Sequence, residues 1–317
     1  MNEQSTNEQQ CIVPDYFLRY YSYISPARAG RPQDFPVSVL QPHPDPALCV
    51  FCPGNEEKTP PEIGRLADAK GEWRMRWFAN KYAAIVPTNP HAYGYHEIIV
   101  ETPKPDKQLW DLPEQDFIAL LNVCQKRVIA LSQDEKIASV VVFKNHGKEA
   151  GASLVHSHSQ IIASALPLSS LRQLEERSRQ LDACLYCKVL QEEEGSDRII
   201  AQNDDFIALC PKAPRFSLEA WLVAKRHEDD FLQLGQAQLA SISQLLSALL
   251  LRLKTIPASY SFFLTYSTRP GQGHIHLDVL PRLHSWAGFE LAAGDYMVSA
   301  TPQQAAQFYA NQEANNQ

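Results

Sequence analysis

The sequence predicts an α+β fold built by duplication of one motif, and three recurring features predict it. A Cys-x-x-Cys pair opens each copy, at 49–52 and at 184–187. Each copy then contains a helix with apolar residues at 3.6-residue spacing. Near its end each copy carries a His-x-His, at 156–158 and at 274–276. A recurrence after about 120–135 residues is too long for a solenoid repeat and indicates two copies of one domain.

The composition is that of a globular protein with a large core. The 317 residues are 44% hydrophobic and 21% charged, which excludes global disorder. The net charge of −7 disfavours nucleic acid as a partner, because phosphate-backbone binding usually needs a basic surface. No run of 18 apolar residues favours a membrane span, and the polar N terminus does not resemble a secretion signal. Together with seven cysteines, an odd number, these features predict a cytoplasmic protein without a disulfide framework.

The elements follow one order in both copies. Strand-like runs at 77–87 and 96–102 precede the first helix, which leads to an apolar strand at 139–143. In the second copy the corresponding strand is at 260–265. The helices are predicted to bury Phe117, Leu120, Leu121, Cys124, Val128 and Leu131 in the first copy, and Leu239, Ile242, Leu245, Leu246, Leu249 and Leu253 in the second.

The domain boundaries follow from this order and from a charged, amphipathic connector over 171–181. We expect a polar tail at the N terminus and a frayed one at the C terminus. The predicted divisions are a tail over 1–19, domains over 20–168 and 169–310, and a second tail over 311–317.

The cysteine pairs suggest metal sites, because two thiolates two residues apart can bind one cation. In the second copy Cys184, Cys187, His227 and one histidine of 274–276 can supply the four ligands of a tetrahedral zinc site. A redox Cys-x-x-Cys or packed free thiols would explain a single pair as well. Two pairs, each followed by a His-x-His, favour the metal.

The first His-x-His belongs to a strand on which His156, His158 and Gln160 point to one face. The simpler interpretation is a half-buried strand with satisfied polar groups. In the other, one histidine binds metal and the next attacks phosphorus. A loop upstream, with Gly151 and Ser153, could direct backbone N–H groups at phosphate oxygens. The loop and His-Ser-His-Ser-Gln together favour catalysis.

Two arginines near the N terminus are the other candidate phosphate ligands. Arg28 and Arg31 lie in a proline-bounded segment, where a solvated loop is the simpler interpretation. Arginine is nevertheless the natural bidentate partner of a phosphate.

Longer motifs over residues 20–310 carry a family resemblance. They are Ser-Pro-Ala-Arg-Ala-Gly-Arg-Pro at 25–32, the cysteine pair at 49–52, Tyr-Gly-Tyr-His-Glu-Ile-Ile-Val-Glu-Thr-Pro at 93–103, the run from Phe143 to Gln160, Trp221 to His227, His274-Ile-His276 and Ala287-Gly-Phe-Glu290. By these motifs the sequence resembles the galactose-1-phosphate uridylyltransferase family. This branch of the histidine-triad superfamily includes plant ADP-glucose phosphorylase.

The resemblance implies two tandem histidine-triad-like domains, each an antiparallel half-barrel sheet packed with helices, in a homodimer. It implies that His158 attacks the α-phosphorus of a nucleoside-diphosphate sugar, and that Gln160 hydrogen-bonds the non-bridging oxygens. The other implied contacts are Arg28, Arg31, Asn80, Asn145, Gly151 and Ser153 for nucleotide and phosphate, with Phe289 and Glu290 of the neighbouring subunit for sugar. The implied zinc ligands are Cys184, Cys187, His227 and His274 in one site, and Cys49, Cys52 and His156 in the other.

One departure from the family concerns the first metal site. Pro105 stands where the family carries a histidine ligand, so three ligands remain. Asp106, His91 or His96 could substitute, or the site could bind weakly or not at all. One zinc ion is therefore expected, and two are possible.

The expected function is nucleotidylyl transfer through a covalent nucleotidyl-His158. The first hypothesis is a UDP-glucose–hexose-1-phosphate uridylyltransferase, with hexose 1-phosphate as the acceptor. The second is an ADP-glucose phosphorylase, with inorganic phosphate as the acceptor. A non-catalytic zinc- and nucleotide-binding protein is the alternative of another class, because the first metal site lacks a ligand. No nucleic acid or membrane partner is expected.

Overall fold

The computed structural model describes residues 10–17, 19–30, 45–227, 230–256, 258–268 and 274–311. The strands of this part are β1 (Cys11–Pro14), β2 (Tyr21–Ile24), β3 (Glu62–Ala67), β4 (Trp73–Ala79), β5 (Gly94–Val100), β6 (Ser139–His146), β7 (His158–Ser164), β8 (Ile199–Gln202), β9 (Phe206–Leu209), β10 (Ala220–Ala224), β11 (Tyr260–Ser267), β12 (His276–Pro281) and β13 (Tyr296–Val298). The α-helices are α1 (Glu114–Ser132), α2 (Ser169–Leu181), α3 (Leu185–Glu192), α4 (Gln236–Lys254), α5 (Gly288–Ala293) and α6 (Pro302–Ala310). None of these helices is both long enough and apolar enough to span a membrane.

Within the described ranges, ten strands form one sheet in the order β3-β4-β5-β7-β6-β11-β12-β10-β9-β8. From either edge to the centre the two halves have the same strand order, so the duplication is visible in the topology. The halves meet where β6 pairs with β11 in antiparallel fashion, from Tyr260 opposite His146 to Ser267 opposite Ser139. The predicted fold class, α+β with two histidine-triad-like copies of an antiparallel sheet packed with helices, is confirmed. The domain division at residue 168 stays a prediction.

One face of the sheet is covered by the two long helices. Val140 and Val142 of β6 and Ile161 of β7 join α1 and α4 in the main hydrophobic core. The helix residues predicted to be buried are buried, with Val123 in addition on α1 and Leu250 and Ser243 on α4. Because strand residues alternate between faces, His158 and Gln160 lie on the opposite face from this core.

The N-terminal segment differs from the predicted polar tail. Residues of β1 pair with β2, which also pairs with β13 in a separate three-stranded sheet. Phe17 is buried and packs against Tyr186 and Trp221 of the second copy. The apolar area of this aromatic contact holds the segment on the domain. The C-terminal helix α6 likewise reaches Ala310, with Tyr309 buried and its hydroxyl donating to the Leu218 carbonyl at 2.8 Å.

Candidate active site and metal sites

His158 has the geometry of a neutral nucleophile. It begins β7, is buried, and its Nδ1 lies 2.8 Å from the carbonyl oxygen of His156. A carbonyl can only accept, so Nδ1 carries the proton and Nε2 keeps its lone pair. Burial, assisted by the positive charge of Lys144, lowers the pKa of His158 to about 4. At neutral pH the imidazole is therefore uncharged and can attack an electrophile through Nε2.

Gln160 lies on the same strand face as His158, and a second histidine orients it. Nε2 of His96 lies 2.8 Å from Oε1 of Gln160, and Nδ1 of His96 accepts from the Ala84 N–H. Nε2 of His96 is thus the donor, and it leaves the Gln160 amide nitrogen directed elsewhere as a donor. Asn80 lies beside this pair, with its Nδ2 3.1 Å from His96 Nε2. Sequence reasoning had considered His96 only as a metal ligand.

The loop between β6 and β7 forms a cleft of about 190 Å³ beside His158. Asn145 and Ser153 line this cleft, whereas Gly151 is exposed on the loop and is not among the lining residues described. Gly147 opens the loop at φ +80°, and a Cβ there would lie 2.1 Å from the Ser259 hydroxyl oxygen. Only glycine fits, so the turn that returns the chain toward His158 depends on it.

Arg28, Phe289 and Glu290 are not among the described residues that line this cleft. Arg28 is exposed on the 3-10 helix Pro26–Gly30, and Arg31 lies outside the described residues. Phe289 and Glu290 begin α5, where the Phe289 ring packs edge-on against Tyr23. Arg28 follows β2 and α5 precedes β13, so both are connected to strands of the three-stranded sheet.

The second copy brings together the four predicted zinc ligands. The donor atoms of Cys184, Cys187, His227 and His274 lie within 4.8 Å of one another. His274 Nε2 is 2.7 Å from the Ala224 carbonyl, so it carries the proton and its Nδ1 faces the sulfurs at 3.3 and 3.7 Å. Tetrahedral zinc bonds of roughly 2.3 Å to sulfur and 2.1 Å to nitrogen place such atoms about 3.6 Å apart. The donor set and its spacing fit zinc.

The first copy brings together three ligands with the same spacing. Nδ1 of His156 lies 3.4 Å from Cys49 Sγ and 3.6 Å from Cys52 Sγ, and its Nε2 is 2.7 Å from the Thr102 carbonyl. All three side chains are buried. In the described ranges no fourth donor joins this group. The suggested substitutes Asp106, His91 and His96 are not part of this group among the described residues, and His96 contacts Gln160 instead.

The second His-x-His is built differently from the first despite its matching backbone. Nδ1 of His276 lies 2.8 Å from the His274 carbonyl, as in the first copy. Its ring, however, stacks on Tyr186 with a centroid distance of 4.1 Å. Asp278 replaces Gln160 in the pattern, and Arg215 binds its carboxylate at 2.6 Å. A carboxylate repels phosphate oxygens, so this copy lacks the features that favour nucleotidyl transfer in the first.

Comparisons with known proteins agree with this fold. ADP-glucose phosphorylase of Arabidopsis thaliana is 30% identical over 330 residues, covering 95% of this chain and 92% of that protein. Galactose-1-phosphate uridylyltransferase of Thermotoga maritima is 28% identical over 60% of this chain and 62% of that protein. A family profile described as the N-terminal domain of a domain of unknown function (DUF4931) matches residues 43–165.

Comparison with solved structures finds the same two kinds of relative. The crystal structure of the Arabidopsis thaliana ADP-glucose phosphorylase with bound ADP-glucose superposes with a TM-score of 0.83, at 25% identity over 96% of this chain and 99% of that one. A uridylyltransferase structure superposes with a TM-score of 0.73, at 25% identity over 94% and 97% of the two chains.

The fold and the first His-x-His define a nucleotidyltransferase of the histidine-triad class. More narrowly, the chain belongs to the galactose-1-phosphate uridylyltransferase family, in which its Arabidopsis relative is an ADP-glucose phosphorylase. The expected family resemblance is confirmed.

Proposed function

We propose that this enzyme transfers a nucleotidyl group from a nucleoside-diphosphate sugar to a phosphate acceptor through a covalent bond to His158. One observation carries the proposal. The Nδ1 proton of His158 is committed to the His156 carbonyl, which leaves Nε2 as an uncharged nucleophile beside a cleft with a glycine-containing loop. This is the arrangement that in-line attack on phosphorus requires.

In the first half-reaction, Nε2 of His158 forms a bond to the α-phosphorus. The bond from that phosphorus to the bridging oxygen breaks, and sugar 1-phosphate leaves with the bonding electrons. In the second half-reaction an oxygen of the acceptor phosphate attacks the α-phosphorus, and the bond to Nε2 breaks. The Gln160 amide would donate to the non-bridging oxygens, where charge develops, and Ser153 would bind the departing phosphate.

We propose ADP-glucose as the donor and inorganic phosphate as the acceptor. The similarity to ADP-glucose phosphorylase extends over 95% of this chain, and that enzyme's structure contains ADP-glucose. A hexose-1-phosphate uridylyltransferase is the second candidate. Several relatives with that activity match 60–79% of this chain, and so the sugar-phosphate acceptor stays open to test.

Zinc is proposed as a structural ion. Cys184, Cys187, His227 and His274 would hold it in the second copy, where it would join the start of α3 to the segment before β12. Cys49, Cys52 and His156 would hold a second ion with one coordination position not supplied by a described side chain. A bound ion at His156 would fix the residue whose carbonyl orients His158.

Intact-mass measurement tests the proposed chemistry. We expect the protein to gain one AMP after incubation with ADP-glucose, and to lose it when inorganic phosphate is added. His158→Ala should gain nothing, whereas Cys124→Ser, a buried thiol on α1, should label normally. A UMP adduct from UDP-glucose without an AMP adduct would select the second candidate. No adduct from either donor in zinc-loaded protein would contradict nucleotidyl transfer through His158.

A further inference from the structure

Behind the nucleophile, on the core face of the sheet, lies a fully buried polar cluster of Glu101, Lys144, Ser157 and Ser159. Lys144 Nζ donates to Glu101 Oε2 at 2.8 Å, to Ser157 Oγ at 2.9 Å and to the His158 carbonyl at 3.2 Å. Both serine hydroxyls donate to Glu101 at 2.5 Å. All three protons of the ammonium group are thus used, and both neighbours of His158 are tied to one carboxylate.

The cluster lies at the point where β7 is paired with a neighbouring strand on only one side of His158. The pairing of β5 with β7 continues to Val100 opposite His158. The pairing of β6 with β7 ends at Phe143 opposite Gln160, although β6 itself continues to His146 along its other neighbour, β11. Lys144 is the next residue of β6, and its ammonium group donates to the His158 carbonyl. A side chain therefore replaces the strand ladder at the nucleophile.

The second copy shows that the fold does not require this cluster. Phe143 opposite Gln160 corresponds to Phe263 opposite Asp278, and this register fixes the equivalent positions. The equivalents of Glu101, Lys144, Ser157 and Ser159 are, in the same order, Ala224, Leu264, Ile275 and Leu277. These four are apolar, buried and part of the main core. The second copy, which lacks the catalytic pattern, thus forms the same strands with apolar residues at these positions.

A buried ion pair is weak evidence for stability, because removing two charges from water costs about as much as their attraction returns. Lys144 and Glu101 are each 1% exposed. Burial acts to raise the pKa of Glu101, but Lys144 and the two hydroxyls outweigh it and hold that pKa below its usual value, so the carboxylate is charged. Apolar packing cannot explain the cluster, because the apolar equivalents in the second copy provide such packing without buried charges. The cluster must therefore have another role.

We propose that Glu101 and Lys144 are positioning residues for nucleotidyl transfer, which fix residues 157–159 so that His158 Nε2 is held on the line of attack. The inference rests on the proposed function of His158. Lys144 is among the residues that line the His158 cleft, but its three protons are donated within the protein, so neither Lys144 nor Glu101 is assigned a contact with substrate. A displacement of the nucleophile by about 1 Å can reduce a rate by about 100-fold, so a rigid support on the core face acts directly on the chemical step.

The test is a double variant, Lys144→Met with Glu101→Leu, which replaces the pair by apolar side chains of similar length. We expect its midpoint of thermal unfolding to equal or exceed that of the wild type, as for other buried ion pairs replaced by apolar residues. The rate of nucleotidyl-enzyme formation from ADP-glucose, followed by rapid quench and mass, should fall about 10- to 100-fold. KM for the donor should change by less than about threefold, because all three protons of the Lys144 ammonium group are donated within the protein.

The matched control is Arg127→Met with Glu97→Leu. This pair joins α1 to the same strand β5 through two hydrogen bonds of 2.7 and 2.8 Å, which do not involve residues 157–159. It should leave the rate of adduct formation within twofold of the wild type. If the double variant at 101 and 144 does not fold, Ser159→Ala provides the test, with a smaller loss in rate and an unchanged KM.

The outcomes are separable. Adduct formation by the wild type together with an unchanged rate in the folded double variant, or in Ser159→Ala, would overturn the positioning role alone. Equal losses in the variant and in the control would overturn it too, because any change in this core would then suffice. A wild type that forms no adduct would overturn the proposed function, and the positioning role with it.

Discussion

His146 and His158 are twelve residues apart and have different roles. Strand alternation places their side chains on different faces of the sheet. His158 points to the open face and directs Nε2 toward the cleft. His146 also borders the cleft, but its ring lies against the core, where it stacks on Tyr260 and contacts Trp110. Its Nδ1 lies 3.0 Å from Gln108 Oε1. The environment, not the residue type, decides which histidine can react.

The core histidine gives a prediction for the pH dependence of stability. Burial and the charge of Lys144 lower the pKa of His146 to about 3, against the opposing charges of Glu101 and Asp111. The unfolded chain binds a proton below about pH 6.5, whereas the folded protein does not until about pH 3. Stability from this residue is therefore complete above pH 6.5 and falls as the pH decreases, by about 1.4 kcal/mol per pH unit.

Replacing His146 by Asn removes this titration and keeps an amide donor for Gln108. We expect the free energy of unfolding, measured by urea denaturation between pH 6.5 and 4.5, to depend less steeply on pH in the variant by about 1.4 kcal/mol per unit. At pH 7.5 the variant should be less stable than the wild type because aromatic packing is lost. Parallel pH curves for the two proteins would show that His146 already titrates normally when folded.

The candidate site residues could be predicted where a short motif carries the chemistry. His158, Gln160 and the loop with Ser153 follow from one continuous run. The orienting role of His96 could not be predicted, because its partner Gln160 is 64 residues away. A signal for Lys144 did exist: it continues the buried alternation of Val140 and Val142, and a lysine on a core face needs a buried partner. Nothing local identified that partner as Glu101.

At the scale of elements, each cysteine pair is connected to a strand far along the chain. Cys184 is the N-cap of α3, and His274 lies two residues before β12, 90 residues later. Because the ligand atoms already have tetrahedral spacing, a zinc ion there would close this long loop. The first site would close a loop of similar length, 107 residues, but it has three ligands where the second has four, so the second site should bind its ion more tightly and contribute most to stability.

Metal analysis of purified protein tests this assignment. We expect Cys184→Ser to lose about one zinc equivalent per chain and to unfold at a lower temperature, whereas Cys210→Ser, a buried thiol outside both groups, should keep its zinc. In the wild type, any ion held by Cys49, Cys52 and His156 should be removed by a lower chelator concentration than the other. Full zinc content in Cys184→Ser would refute the ligand set.

The elements themselves were largely predictable, and their assembly was not. Helical periodicity identified α1 and α4 with their buried residues, and β-rich runs identified β6 and β11. No local pattern indicated that β6 and β11 would pair and merge two half-sheets into one, because both strands are apolar and could have ended a separate sheet. The separate sheet of β1, β2 and β13 was also missed, since β13 has only three residues.

At the scale of the whole molecule, duplication has separated two tasks. The first copy keeps the loop, the Gln160 amide and the polar support behind His158. The second copy has Asp278 in place of the glutamine, an aromatic ring over His276, and a complete set of zinc ligands. One sheet and one core join the two copies, so the second copy stabilises the first. Arg28, Phe289 and Glu290 are not among the residues that line the His158 cleft.

Those three residues give a prediction about assembly. Because the residues that line the His158 cleft include none of them, we expect a second subunit of a two-fold dimer to supply them. His158→Ala and Glu290→Ala should then each be inactive as homodimers. In mixed dimers, one site would combine both defects and the other would contain His158 from one chain and Glu290 from its partner.

Co-expression of the two variants with different affinity tags tests this directly. Random pairing places half of the chains in mixed dimers with one intact site in two, so the unfractionated protein should recover about one quarter of wild-type activity. Tandem purification of mixed dimers should raise this to about one half. Recovery should disappear when both substitutions are in the same chain. Inactive mixed dimers, or an active Glu290→Ala homodimer, would place the sugar contact within one chain or elsewhere.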